Sequence, residues 1–309
     1  MIHPPSPEET MPTTTSHWTV APITGRFGAT LTGASLADPG AADEVGALLL
    51  EHLVLVVRGQ SLSPADQVAL ARRLGEPTPA HPVVPGMPGF PEILELDGAK
   101  GGRNARWHTD VTFVPRPPAA SILVGDVVPS HGGDTLWADL RGAYESLAPA
   151  LRTLVDGALA VHRISPLAYW GEPFDTALGL ENAAQLLDDA AKVPAVLHPV
   201  VRVHPVTGRP SLFVNPGFTT QLVGFSRIES DHLLALLYAH ATQPEHVLRH
   251  RWESGDVLLW DNRATMHYAT DDYGTAERRM RRVTLAGAVP FGPSGFTSHT
   301  TDDPFLTVR

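Results

Sequence analysis

A chain of 309 residues with 33 acidic against 23 basic side chains has a formal net charge of −10, so its overall field repels phosphate backbones and anionic membrane surfaces. It contains no cysteine, which excludes disulfides, thiolate-bound zinc and iron–sulfur clusters and leaves His, Asp and Glu to hold any metal. With 43% hydrophobic and 18% charged residues, the composition is that of a globular chain with a sizeable core.

Residues 1–17 are rich in Pro and Thr and lack a basic start followed by an apolar run, so they read as a mobile tail and not as a secretory signal. The most apolar run, Leu48 to Val57, is interrupted by Glu51 and His52 and is too short to span a bilayer; a cytoplasmic location is expected. Helical spacing over Ala41 to His52 leads into a buried strand at Val54 to Val57. Ser63-Pro64 with Asp66 starts a second helix, which Gly75 ends. From His81 to Gly102 frequent Pro and Gly predict a long loop, with a short strand around Glu92 to Leu96.

Strands are then predicted at Ala119 to Val128, Asp134 to Ala138, Val196 to Val203, Ser211 to Val214, Val247 to Trp252, Val257 to Trp260 and Arg279 to Ala288. Helices are predicted near Leu140 to Asp156, Glu181 to Ala191 and Ile228 to Ala241, and His204-Pro-Val-Thr-Gly208 reads as a hairpin turn. This is a mainly β chain with flanking helices. A single β-sandwich or jelly-roll domain is expected over residues 18–292, with residues 293–309 as a tail.

The chemistry centres on Arg106-Trp-His-Thr-Asp110, the only His-x-Asp or His-x-Glu in the chain. Residues two apart in an extended segment project to one face, so His108 and Asp110 can share a divalent first-row metal; the competing account is an ordinary His–Asp hydrogen bond in a loop. A third donor is offered where Trp260-Asp-Asn-Arg-Ala-Thr-Met-His267 leaves a buried strand. If the following Asp271-Asp-Tyr-Gly274 closes an antiparallel hairpin, Arg278 lies opposite His267 and Arg282 points the same way. Cations beside a metal ligand call for an anion between them, which implies an anionic co-substrate. By alternation, Arg279 and Arg281 should be solvated. Trp107, Trp137 and Trp260 read as core or wall residues, and His131, His198 and His204 as structural hydrogen-bonding residues. Asp261 and Asn262 either orient His267 or cap the turn.

The segments Trp107-His-Thr-Asp-Val-Thr-Phe113 and Trp260-Asp-Asn-Arg-Ala-Thr-x-His267, with Arg278 ten intervening residues later, resemble the taurine/2-oxoglutarate dioxygenase family. The resemblance extends to Gly132-Gly-Asp-Thr-Leu-Trp137, His198-Pro-Val-Val-Arg-x-His204 and Phe213-Val-Asn-x-Gly-Phe-Thr-Thr220, in order over roughly residues 20 to 292. It implies a double-stranded β-helix, or jelly roll, with iron(II) on His108, Asp110 and His267. It implies 2-oxoglutarate as co-substrate, its distal carboxylate on Thr135 and Arg278, and dioxygen as oxidant. The expected reaction is hydroxylation of a C–H bond, since Asp110 fills the site a halide would need.

The resemblance further implies a small anionic substrate, an organosulfonate such as taurine or a larger analogue, held by His81, Asn104 and Arg282 against Phe218. Val84 stands where a Tyr is expected, and His162-Arg-Ile-Ser-Pro166 departs from an aromatic segment, which points to a larger or more apolar tail. The alternatives are an alkyl-sulfate ester dioxygenase of the same family, or a non-catalytic jelly-roll protein that keeps its metal for structure. An acidic neighbour is the competing account of Arg282. A homo-oligomer is compatible with these features; nucleic acid and membrane partners are not expected.

Overall fold

The computed structural model of the chain describes residues 17–82, 84–98, 105–164, 188 and 192–301. In chain order the elements begin with β1 (Thr19–Pro22), β2 (Ala29–Thr32), α1 (Pro39–His52), β3 (Val54–Val57), α2 (Pro64–Leu74), β4 (Leu94–Asp97), β5 (Ala120–Val127) and β6 (Thr135–Asp139). They continue with α3 (Leu140–Ser146), α4 (Pro149–Asp156), β7 (Leu159–His162), β8 (Ala195–Pro199), β9 (Val201–Val203), β10 (Pro210–Leu212) and β11 (Thr219–Leu222). Last come α5 (Arg227–Ala241), β12 (Val247–His250), β13 (Val257–Asp261), β14 (Thr265–Ala269), β15 (Arg279–Leu285) and β16 (His299–Thr301).

The helix starts follow from local chemistry. Asp38 accepts from the Gly40 amide at the start of α1, while Ser63 with Asp66 and Ser226 with Glu229 form reciprocal capping boxes on α2 and α5. The expected Leu140–Asp156 helix is two helices, because Pro149 cannot continue the first and opens the second. The expected Val196–Val203 strand is likewise divided, into β8 and β9, which lie in different sheets. The His204–Gly208 turn does join antiparallel strands, β9 and β10, with Gly208 at φ +70°. The helix expected over 181–191 falls outside the described residues, apart from the single position 188.

The large sheet has the order β1-β2-β3-β13-β5-β15-β4 and is antiparallel except for β2 against β3. Its two faces serve different purposes. Leu55, Val57, Val257, Leu259, Ile122, Val124, Val283 and Leu285 pack with α1 and α2 in one core. Val54, Val56, Leu258, Trp260, Leu123 and Met280 face inward and meet Trp137 from β6. Full burial of such side chains is worth roughly 1.5–3 kcal/mol each, which fixes the alternation firmly. Smaller sheets, β12-β6-β14, β11-β7-β8-β16 and β10-β9, complete the jelly roll.

The structure corrects three expectations. β14 and β15 do not form a hairpin: β14 pairs with β6, placing His267 opposite Trp137, whereas β15 pairs with β5 and β4 across the molecule. The connection crosses between sheets and is tied to the turn before β6, with the Thr270 amide donating to Asp134 O. Arg281 is not solvated, because the outer face of β15 lies under α2: it is 5% exposed, donates from Nε to Asp126 at 2.7 Å and from Nη1 to Gln67. Arg279 is exposed. Finally, residues 293–301 are not a free tail, since β16 pairs with β8. Among the described residues no helix is long and apolar enough to cross a membrane.

Candidate active site

The interior between the large and small sheets gathers polar residues that an apolar core would not tolerate unpaired. His108 precedes β5 in an irregular segment, yet its amide donates to His267 O at 2.9 Å and the His267 amide donates to His108 O at 2.7 Å. This two-bond antiparallel bridge makes the residues directly opposed, so their side chains leave the backbone on the same side. The rings lie 4.1 Å apart between centroids, and Trp260 supports His267 at 4.8 Å. His108 Nδ1 is 2.8 Å from Arg106 O; as a donor there it leaves the Nε2 lone pair facing Asp110.

Asp110 Oδ1 lies 3.8 Å from His108 Nε2 and 3.9 Å from His267 Nε2. One donor atom from each of these three buried residues falls within 4.8 Å of the others, the only such group among the described residues. Asp110 Oδ2 accepts from Ser121 Oγ at 2.8 Å, and Asn262 fixes the backbone by accepting from the Asp110 amide and donating to its carbonyl. Directly after Asp110, Val111 takes φ +54°, an uncommon conformation for a β-branched residue.

Burial would raise the Asp110 carboxyl, but Arg282, the two imidazoles and the Ser121 hydroxyl outweigh it and hold the pKa at about 2. Burial also pushes both histidines below their ordinary value. The set therefore stands as two neutral imidazoles and one carboxylate, the protonation state that ligates a divalent first-row metal. These residues fit iron(II).

Arg282, on the inward face of β15, donates from Nη1 to Asp110 Oδ1, so its acidic neighbour is Asp110 itself. Its Nε and Nη2 are buried and have no hydrogen-bond partner among the described residues. His81 is buried close enough to feel both Arg282 and Asp110; burial, then Arg282, lowers its pKa to about 3. Its ring is 6.0 Å from Phe113, which is 4.9 Å from Phe218, which in turn stands edge-on to His108 at 6.3 Å. Val111, Phe113, Ile164 and Phe218 make one apolar wall beside the three donors. Asn104 lies outside the described residues.

Arg278 stands in the lead-in to β15, four residues before Arg282. It is 4% exposed, donates from Nε to Gly133 O at 3.2 Å, and lies 5.9 Å from the Tyr273 ring centroid. Thr135 is opposite Ala269, two residues along β14 from His267, and so shares its face. Thr135 Oγ1 accepts from Trp252 Nε1 at 2.9 Å.

Several residues at this site were not anticipated from sequence. Ser121 is a polar side chain in an otherwise apolar strand, which is a readable signal. Gly217 permits a close approach, because a Cβ there would stand 2.7 Å from His108 Cβ. Asn262 acts on Asp110 and not on His267, while Asp261 holds Arg263 and His204. His198 is structural as expected, bonded to Thr112 O and Ser298 Oγ, and His131 is exposed beside Ser130.

Comparison with known proteins agrees with this geometry. Residues 19–284 match the family model described as taurine catabolism dioxygenase TauD, TfdA family. An alpha-ketoglutarate-dependent sulfate ester dioxygenase of Pseudomonas putida is 45% identical over 91% of this chain and 94% of its own length. An alkylsulfatase of Acinetobacter baylyi is 41% identical over 90% of this chain and 88% of its own. A taurine dioxygenase structure from Burkholderia xenovorans superposes with a TM-score of 0.78 at 37% identity, covering 93% of this chain and 97% of that one. With the metal-ready triad at the heart of a matching jelly roll, this chain belongs to the TauD/TfdA dioxygenase family.

Proposed function

We propose that this chain is an iron(II)- and 2-oxoglutarate-dependent dioxygenase that hydroxylates the carbon bearing the oxygen of an alkyl sulfate ester, whose adduct then collapses to an aldehyde and sulfate. The observation that carries the reading is the buried triad with Arg282 beside it, two guanidinium nitrogens without a hydrogen-bond partner among the described residues and an apolar wall next to them. When bound, iron(II) with 2-oxoglutarate and dioxygen supplies the oxidising power, and succinate and CO2 are formed. His108, Asp110 and His267 hold the metal on one face. Arg278 and Thr135 receive the distal carboxylate of 2-oxoglutarate, for which a planar guanidinium offers parallel donors. Arg282 and His81 receive the sulfate oxygens, while Phe113, Phe218 and Ile164 hold the alkyl tail and exclude water from the reacting carbon.

The sulfate ester is preferred to the sulfonate on two grounds. The wall at Val111, Phe113, Ile164 and Phe218 offers an apolar surface for a tail, and two curated relatives above 40% identity are named for sulfate ester chemistry. The test sets hexyl sulfate, hexanesulfonate and taurine side by side, measuring succinate together with sulfate or sulfite. The expected result is hexanal, sulfate and succinate in equal amounts from hexyl sulfate. Faster turnover of taurine with sulfite release would overturn the substrate assignment and favour the sulfonate reading.

A further inference from the structure

Arg278 is held in place from outside the site. The turn Gly132-Gly133 takes φ +69° and +67°, and a Cβ on Gly132 would stand 2.7 Å from the Asp272 carbonyl oxygen, so the 132–133 turn and the connection before β15 are in close contact. Asp272 Oδ1 accepts from the Gly133 amide at 2.8 Å and from the Thr270 hydroxyl at 2.7 Å. Asp272 Oδ2 lies 3.6 Å from Arg249 Nη2, and Arg249 Nε is itself 2.6 Å from Asp134. The carbonyl of that same Gly133 accepts from Arg278 Nε. One residue therefore links the Asp272 carboxylate to the guanidinium. Tyr273, next in sequence, packs against Arg278.

We infer that Asp272 is a positioning residue for the co-substrate arginine. By holding the Gly133 amide, with its own backbone packed against Gly132, it anchors the turn whose Gly133 carbonyl occupies Nε of Arg278. The guanidinium is then oriented with its two Nη groups left to receive a carboxylate as a fork. The inference rests on the proposed reading of Arg278 as the 2-oxoglutarate residue. The Asp272 side chain is about half exposed, so replacing it removes little buried area and the fold is expected to tolerate the change.

The experiment loads Asp272→Ala, Asp272→Asn and Arg278→Ala variants with iron(II) without oxygen and titrates 2-oxoglutarate, following the visible charge-transfer band; iron affinity is measured separately by chelator competition. Asp272→Ala should weaken 2-oxoglutarate binding about fivefold to tenfold, the scale of one ordinary hydrogen bond felt indirectly, with iron affinity unchanged. Asp272→Asn keeps a carbonyl oxygen for the Gly133 and Thr270 donors and should restore binding to within about twofold. Equal impairment in both variants, or a parallel loss of iron affinity, overturns the inference. If Arg278→Ala weakens 2-oxoglutarate binding but Asp272→Ala does not, the positioning role alone fails. If Arg278→Ala changes nothing, the reading of Arg278 fails with it.

Discussion

Gly217→Ala tests how tightly His108, a proposed iron ligand, is packed. The new Cβ would stand 2.7 Å from His108 Cβ, 3.1 Å from Asn215 Oδ1 and 3.4 Å from Trp107 O. Carbon atoms in contact rest at about 3.5–4.0 Å, so roughly 1 Å of separation must be found. His108 is poorly able to supply it, being held by two backbone bonds to His267 and by Nδ1 on Arg106 O. The opposing turn is also tied, through the Phe218 amide to Asn215 Oδ1 and the Thr219 amide to Asn215 O. Overpacking of this kind costs about 1–3 kcal/mol of stability. Disturbing the support of a metal ligand costs about 10–100-fold in metal affinity, and a 1 Å displacement costs about 10²-fold in rate. Iron affinity by chelator competition should therefore fall at least about tenfold, and thermal unfolding should shift down. Normal iron affinity in a destabilised variant would refute the reasoning, because the glycine would then serve the fold and not the ligand.

The other substitutions divide the site into its parts. Arg278→Lys should raise the apparent 2-oxoglutarate requirement while iron affinity stays unchanged, because an ammonium cannot form the same fork; an unchanged requirement would remove Arg278 from the co-substrate site. Arg282→Ala leaves the Asp110 carboxylate buried without its cation, which should destabilise chelator-treated protein by about 3 kcal/mol, with much of the loss recovered on adding iron(II). Thermal unfolding with and without iron checks this, and equal losses in both conditions would contradict it. Asp261 is buried, which would raise its pKa, but the His204 and Arg263 hydrogen bonds hold it at about 2, below the ordinary 3.8. Its contribution is complete above about pH 4 and is lost as pH falls toward 2, about 2 kcal/mol in all at ~1.4 kcal/mol per pH unit. Denaturant unfolding of Asp261→Asn across that range should show a shallower acid slope than the parent, and an identical slope would count against the assignment.

The cluster of His108, Asp110 and His267 was legible because its information is local: His-x-Asp places two donor side chains on one face, and His267 follows a strand whose apolar run marks it as buried. The route to the arginines was not. A hairpin after His267 is the simplest local pairing, and it puts Arg278 and Arg282 on the His267 face, yet β15 and its lead-in, which carry both arginines, lie in the other sheet. Strand partners such as β5 for β15 lie more than 150 residues away, and no local pattern records them. The same limit explains Arg281. Alternation divides the arginine run into two faces correctly, but the helix that covers the outer face, α2, lies some 210 residues earlier, so local sequence does not distinguish that face from a solvated one. Asn262 and Gly217 act on Asp110 and His108 across the fold, and their residue types alone do not announce it.

The most direct test of the central claim, that one iron(II) with 2-oxoglutarate sits on His108, Asp110 and His267, is an anaerobic titration of iron(II) into the chain in the presence of 2-oxoglutarate, read by visible absorption. The account predicts a weak charge-transfer band that saturates at one iron per chain and is absent in His267→Ala and Asp110→Ala. A band of unchanged intensity and stoichiometry in those variants would contradict it.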